Sequence, residues 1–172
     1  MSERLTVLYS EREIAERVEA LADEIVRAAL RPDVALPVLA GSFVFAADLL
    51  RALARRGLSL PVEFIWLRSY GAARTGGEIA VLVGPPESLH GRTALVIDGV
   101  LDGGHTLAKA RELLLERGAA TVISVVAVDK GRADAVHKAD HAAFTGVSDF
   151  IVGYGMDDAG LGRGLPYIAR VN

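Results

Sequence analysis

The chain has no cysteine. This excludes disulfides, thiolate metal centres and a cysteine nucleophile, and it fits a reducing compartment, so a cytoplasmic location is the default expectation. No apolar run approaches the ~20 residues that a membrane span needs. The opening stretch "MSERLTVLYSEREIAERVEA" is charged throughout and does not resemble a signal peptide. Lys and Arg are scattered and the net charge is −3, so the electrostatic footprint of a nucleic-acid-binding protein is missing. An anionic ligand would need a local site, which the free N–H groups at a helix start supply whatever the net charge. Internal repeats, low-complexity tracts and interdomain linkers are lacking too.

What is present is enough chain, 172 residues, for one domain spanning 1–172 with its own core. In "SEREIAERVEALADEIVRAAL", Ile14, Val18, Leu21, Ile25 and Leu30 recur near helical spacing, with Ser10 as cap and Glu13 three residues on. "VALPVLAGS" reads as strand and loop, and "VFAADLLRALARRG" as a helix stopped by Gly57. "LPVEFIWLRSY" and "EIAVLVG" read as strands around the Gly-rich loop "GAARTGG". "TALVID" and "ATVISVVAVDK" are continuous apolar strands on either side of the helix "LAKARELLLERG", whose Leu107, Ala110, Leu113 and Leu114 share one side. "DFIVGYGMDD" adds a strand near the end, and "GLGRGLPYIARV" a Gly-rich loop with a short last strand. Uninterrupted apolar strands separated by helices predict an α/β fold with a mainly parallel sheet covered on both faces.

In such a sheet, ligands bind beyond the carboxyl ends of the strands. Four loops fall there: Ala40 to Ser42, Ser69 to Glu78, Asp98 to Thr106, and Asp129 to Arg132. The third is the most informative. Gly103 and Gly104 let the chain turn tightly, Thr106 offers a hydroxyl, and the following helix directs its N–H groups and positive dipole end into the loop. A phosphate monoester fits there. The Gly-Lys-Ser/Thr ending of a P-loop is absent, as is the dinucleotide GxGxxG. On physical grounds alone the pattern indicates phosphate with a nearby polyol or metal; the alternative is a structural turn capped by Asp or Thr.

These residues carry a family resemblance. "VIDGVLDGGHTL" resembles the phosphoribosyl-pyrophosphate loop of type I phosphoribosyltransferases. "VLAGSFVFAADLLRAL", "VEFIWLRSYGAARTGGEI", "RELLLERGAATVISVVAVDK" and "DFIVGYGMDD" are similar to their hypoxanthine-guanine branch, in order from about Leu5 to the C-terminus. The resemblance implies the type I phosphoribosyltransferase fold, a mainly parallel sheet flanked by helices with a small hood. It also implies a Mg²⁺-dependent reaction of purine salvage, in which N9 of a 6-oxopurine attacks C1 of phosphoribosyl pyrophosphate and pyrophosphate leaves. Such chemistry needs positioning and charge stabilisation and no covalent nucleophile. A homodimer or homotetramer is implied as well.

Carried over by position, the resemblance makes Asp102 the catalytic carboxylate facing purine N7. Gly103, Gly104, His105 and Thr106 become the 5′-phosphate cradle. Lys130 is implied to donate to the exocyclic oxygen at C6, with Phe150 stacking on the base and Ile151 reading its edge through backbone. Ala40, Gly41 and Arg163 are implied to contact pyrophosphate. Asp157 and Asp98 are implied to hold Mg²⁺, with Asp158 a rival for Asp157, and Asp98 also meets the ribose hydroxyls. Ser69 and Tyr70 match the head of a loop that closes over substrate, with Gly71, Gly76 and Gly77 as hinges. Tyr9, Trp66 and Tyr167 fit core or interface roles equally well.

The chain departs from the family pattern at three positions. A pair of acidic residues usually holds the ribose, and here the pair is Asp98 and Gly99. Gly103 stands where Thr is usual, and Ala40 where Lys or a similar residue is usual. His105 sits at a position that varies among relatives, and a lone His at a helix start is more often a surface residue than a catalyst. These softened positions define a second expectation, a binding protein on the same fold that senses nucleotide or phosphoribosyl pyrophosphate without turning it over. Restoring acidity with Gly99→Asp is expected to tighten phosphoribosyl pyrophosphate binding, unless Gly99 serves the backbone.

Overall fold

Three apolar runs form the centre of the molecule as parallel neighbours: β2 (Val34–Leu39), β5 (Thr93–Leu101) and β6 (Thr121–Asp129). The computed structural model describes residues 5–69, 79–87 and 89–172. The elements in chain order are β1 (Leu5–Tyr9), α1 (Glu11–Arg27), β2, α2 (Phe43–Arg55), β3 (Ile65–Ser69), β4 (Ile79–Val83), β5, α3 (His105–Glu116), β6, β7 (His141–Thr145), β8 (Ile151–Val152) and β9 (Ile168–Val171). The main sheet has the order β4-β3-β2-β5-β6-β7, parallel except for the edge strand β4, which runs antiparallel to β3. A second, three-stranded antiparallel sheet, β1-β9-β8, forms a small hood from the two ends of the described chain.

Burial on both faces explains why the central strands are apolar without interruption. Ala35, Leu95, Ile97, Ile123 and Val125 face the core beneath α1 and α2. Their neighbours Val34, Leu36, Ala94, Val96 and Val122 face the core beneath α3. Along β5 this alternation breaks across Asp98–Gly99, since Val100 packs on the same side as Ile97. α1 begins with the expected capping box, Ser10 accepting from the Glu13 N–H and Glu13 from the Ser10 N–H. Ile14, Val18, Leu21 and Ile25 are buried, as their spacing predicts.

Several expectations need correction. Leu30 does not belong to the buried stripe: α1 ends at Arg27 and Leu30 is exposed. The first half of "LPVEFIWLRSY" contributes only an isolated bridge between Val62 and Ala35, and the strand begins at Ile65. "DFIVGYGMDD" yields only the two-residue β8, which joins the hood and not the main sheet. Leu113 is only partly buried beside Leu107, Ala110 and Leu114. β1 and β7 were not expected. Tyr9 and Phe144, one from each of these strands, stack with ring centroids 3.8 Å apart, which gives Tyr9 a core role. Among the described residues, no helix is long and apolar enough to cross a membrane.

Candidate active site

The strand order places a topological switch between β2 and β5: the chain leaves β2 toward β3 on one side and β5 toward β6 on the other. A crevice must open at the carboxyl ends of such a strand pair. The loops after β2 and β5 meet there, and the unusual residues of the sequence line two adjoining clefts. One, of about 140 Å³, is lined by Ser69, Asp98, Asp102 and the run Gly103 to Leu107. The other, of about 260 Å³, is lined by Gly41, Asp98, Gly99, Asp102, Lys130, Phe150, Ile151, Asp157 and Arg163, among others. A larger cavity of about 430 Å³, lined by α1, α2, Tyr154 and the segment Arg163 to Pro166, meets the second cleft at Arg163. It contains none of the loop residues after β5.

The first cleft is built to receive an anion. α3 starts directly after Gly104, whose φ of 78° a side chain would resist, and no side chain caps the helix. The first N–H groups of α3 and its positive dipole end therefore face the cleft, with Thr106 beside them. The cap position is crowded as well as left-handed, because a Cβ on Gly104 would come within 2.8 Å of the His137 carbonyl oxygen. Gly103 is less constrained: a Cβ there would meet only the ring of His105, at 3.0 Å. His105 itself is exposed.

The second cleft collects the remaining charges. Asp102 Oδ2 accepts a bond from Lys130 Nζ at 3.1 Å, and Oδ1 accepts one from Arg132 Nη1 at 3.0 Å. Arg132 also grips Asp134 through Nε and Nη2 at 2.9 and 2.7 Å. These bonds, Asp134's first, hold the guanidinium above its ordinary pKa. Asp98 Oδ1 accepts from the Gly99 N–H at 2.7 Å, but burial dominates and pushes its carboxyl up to about 6. Phe150 is 54% exposed although apolar and lines the cleft, whereas the neighbouring Ile151 is buried. An exposed aromatic face beside a lysine and a carboxylate can take a flat heterocycle.

Asp157 and Arg163 form an ion pair of 2.6 Å. The other Asp157 oxygen accepts from the Gly160 N–H at 2.7 Å, and Arg163 Nη1 donates to the Gly155 carbonyl at 2.7 Å. Asp158 is directed elsewhere, into a cavity with Leu5, Val152 and Leu161 on the far side of the hood, so it does not share the cleft with Asp98. Among the described residues there is no cluster of three or more potential metal ligands. Asp98 and Asp157, hard oxygen donors on one cleft, still fit Mg²⁺, which takes one or two carboxylates and completes its shell with phosphate oxygens and water.

After β2, Ala40 and Gly41 pass close to β5; the Leu39–Ala40 peptide is cis. Ser42, fully buried, donates from Oγ to the Val38 carbonyl at 2.6 Å and fixes the turn into α2. Ser69 lies at the end of β3 and lines the first cleft. Tyr70, Gly71, Gly76 and Gly77 lie outside the described residues. Sequence reasoning missed Arg132. Its place in "DKGR" at a strand end was the available signal, but its partner Asp102 is remote in sequence and only the fold pairs them.

A parallel sheet with an uncapped helix start and a base-sized cleft at its switch point defines an α/β protein of nucleotide chemistry. The comparisons with known proteins narrow this. A family model described as phosphoribosyl transferase domain matches residues 5–159. The chain is 33% identical to a hypoxanthine-guanine phosphoribosyltransferase of Aquifex aeolicus, over 98% of this chain and 95% of that one. It is 31% identical to the hypoxanthine phosphoribosyltransferase of Escherichia coli K12, over 99% and 97% of the two chains. Among solved structures, the hypoxanthine phosphoribosyltransferase of Trypanosoma cruzi in complex with the product IMP matches with a TM-score of 0.85 at 30% identity, covering 99% of this chain and 95% of that one. The chain belongs to the phosphoribosyltransferase family.

Proposed function

We propose that this protein transfers the 5-phosphoribosyl group from phosphoribosyl pyrophosphate to hypoxanthine or guanine, giving IMP or GMP and pyrophosphate. The observation that carries the reading is that one cleft joins Asp102, Lys130 and Phe150, suited to a base, with Asp98, Gly41 and Arg163, suited to ribose and pyrophosphate. The uncapped start of α3 adjoins it for the 5′-phosphate.

In this assignment Gly103, Gly104, His105 and Thr106 cradle the 5′-phosphate, largely by N–H groups. Phe150 stacks on the purine and Ile151 reads its edge through backbone. Lys130, a pure donor, meets the acceptor oxygen at C6, and for the same reason disfavours the amino group of adenine. As the N9 lone pair forms its bond to C1, the C1–oxygen bond to pyrophosphate breaks and the N7 proton passes toward Asp102. Ala40, Gly41 and Arg163 receive the leaving pyrophosphate, and Asp98 holds the ribose hydroxyls. Mg²⁺, when bound, neutralises charge on the pyrophosphate oxygens, and Asp98 and Asp157 are the residues that would hold it. Ser69 and Tyr70 head the loop that covers substrate in this reading. A cytoplasmic homodimer or homotetramer belongs to the same proposal and is checked by sedimentation.

The test is to incubate the protein with Mg²⁺, phosphoribosyl pyrophosphate and each of hypoxanthine, guanine, xanthine and adenine. Nucleotide from a 6-oxopurine and none from adenine is expected. No product from any base, with a thermal shift from nucleotide or phosphoribosyl pyrophosphate, would instead identify a sensor.

A further inference from the structure

Asp102 has a cation on each oxygen, and the two cations are held very differently. Lys130 reaches Oδ2 at the end of a flexible four-carbon stem. Arg132 reaches Oδ1 while its other edge closes a fork on Asp134, with Nε to Oδ1 at 2.9 Å and Nη2 to Oδ2 at 2.7 Å. The segment that carries Arg132 is also tied to the catalytic loop by backbone. The Lys130 N–H donates to the Leu101 carbonyl at 2.9 Å, and the Val136 N–H to the Gly103 carbonyl at 2.9 Å. His137 backbone packs directly on Gly104.

Each carboxylate oxygen can accept two hydrogen bonds, so Asp102 can face a purine with both cations in place, but Lys130 must leave Oδ2 or share its donors to reach an oxygen at C6. Lys130 has a replacement, since its ammonium carries three donors and a base oxygen offers it a second acceptor. Arg132 is anchored by Asp134. We infer that Arg132 is a positioning residue: it retains Oδ1 of Asp102 throughout, presents Oδ2 to the base, and so releases Lys130 for recognition at C6. Asp134 acts one step further out by fixing the guanidinium. This inference rests on the phosphoribosyl-transfer reading and adds a group that makes no contact with substrate.

Without Arg132, Lys130 is the sole counter-ion of Asp102, and turning toward the base would leave the carboxylate unpaired. Base recognition and carboxylate orientation then compete. The loss therefore falls on the base and not on phosphoribosyl pyrophosphate.

The experiment is steady-state kinetics of the full chain and of Arg132→Ala, Arg132→Lys and Asp134→Asn, varying each substrate in turn, with melting temperatures alongside. For Arg132→Ala, kcat/KM for hypoxanthine is expected to fall about 10- to 100-fold, the range of one charge-assisted hydrogen bond. The KM for phosphoribosyl pyrophosphate should stay within about twofold. Arg132→Lys should recover only part of the loss, because an ammonium cannot close the fork on Asp134 and still orient a second bond. Asp134→Asn should show a smaller loss of the same kind, and it tests the idea if Arg132→Ala does not fold. Equal changes in both substrates' KM, tracking the melting temperature, would mean a merely structural arginine and overturn the inference. So would wild-type values in Arg132→Ala while the wild type makes nucleotide. A wild type that makes no nucleotide overturns the functional reading and this inference with it.

Discussion

The carbonyl oxygen of Gly41 lies so close to Gly99 that a Cβ on Gly99 would stand 2.8 Å from it. Gly155 bounds the same oxygen from another direction, where a Cβ would stand at 2.6 Å. The loop after β2 is thus seated between two residues without side chains. Gly99 stands where the family pattern has a second acidic residue, and it makes room for the loop after β2 against β5.

This reverses the expectation that Gly99→Asp restores binding. Any side chain at 99 must push backbone, not a flexible side chain, and overpacking of that kind costs roughly 1–3 kcal/mol. Gly99→Ala should therefore lower the melting temperature, and Gly99→Asp should weaken phosphoribosyl pyrophosphate binding by calorimetric titration. Tighter binding by Gly99→Asp would show that the loop yields and that the missing carboxylate dominates.

Gly103→Thr should behave oppositely. The added Cβ meets only the His105 ring, the end of an exposed side chain that can rotate away. Its cost in thermal unfolding should stay within about 0.5 kcal/mol, as for surface changes generally. Gly103 lines the first cleft, so if that cleft takes the 5′-phosphate, an added hydroxyl there should let KM for phosphoribosyl pyrophosphate fall or hold. A rise would show that the Gly103 backbone, and not its missing side chain, matters there.

The contrast between positions 99 and 103 marks where sequence reading succeeds and where it stops. Both glycines stand out as departures from a motif, but only coordinates show which has backbone pressed against it. β2, β5 and β6 were legible because burial on both faces leaves an unbroken apolar run. β7 was not: "HAAFT" is short, has one β-branched residue, and lies at a sheet edge where only Ala143 is buried and the rest are half-buried or exposed. β1 was hidden because its partner β9 lies at the opposite end of the described chain, a pairing no local pattern encodes. Lys130 and Asp102 were legible through a motif, whereas the bond from Arg132 to Asp102 spans 30 residues and has no motif of its own.

Asp98 makes a prediction about pH. Burial raises its carboxyl from 3.8 to about 6 in the folded protein. Below about pH 4 both folded and unfolded states carry the proton, and Asp98 costs nothing. Between about pH 4 and 6 the unfolded state ionises first, so stability is lost as pH rises, by at most roughly 3 kcal/mol. Asp98→Asn should therefore raise the melting temperature of the unliganded protein at pH 7.5, with the gain shrinking toward pH 4. The same variant should bind phosphoribosyl pyrophosphate with Mg²⁺ more weakly. A stability gain independent of pH would mean that ionisation of Asp98 is not the cause.

Asp102→Asn separates the two tasks of the second cleft. The amide keeps the shape of the side chain but cannot take the N7 proton, and it presents one acceptor to Lys130 and Arg132 where the carboxylate presents two. Loss of a general base typically costs 10²- to 10⁴-fold, so kcat should fall within about that range. In the proposed assignment, binding of IMP, which no longer carries a proton at N7, should change little, because the uncapped start of α3 and the exposed ring of Phe150 are untouched. Single-turnover rates and equilibrium binding of IMP, measured on the same preparation, decide it. Unchanged rates would mean that Asp102 is an anchor for Lys130 and Arg132 and that the purine proton leaves by another route.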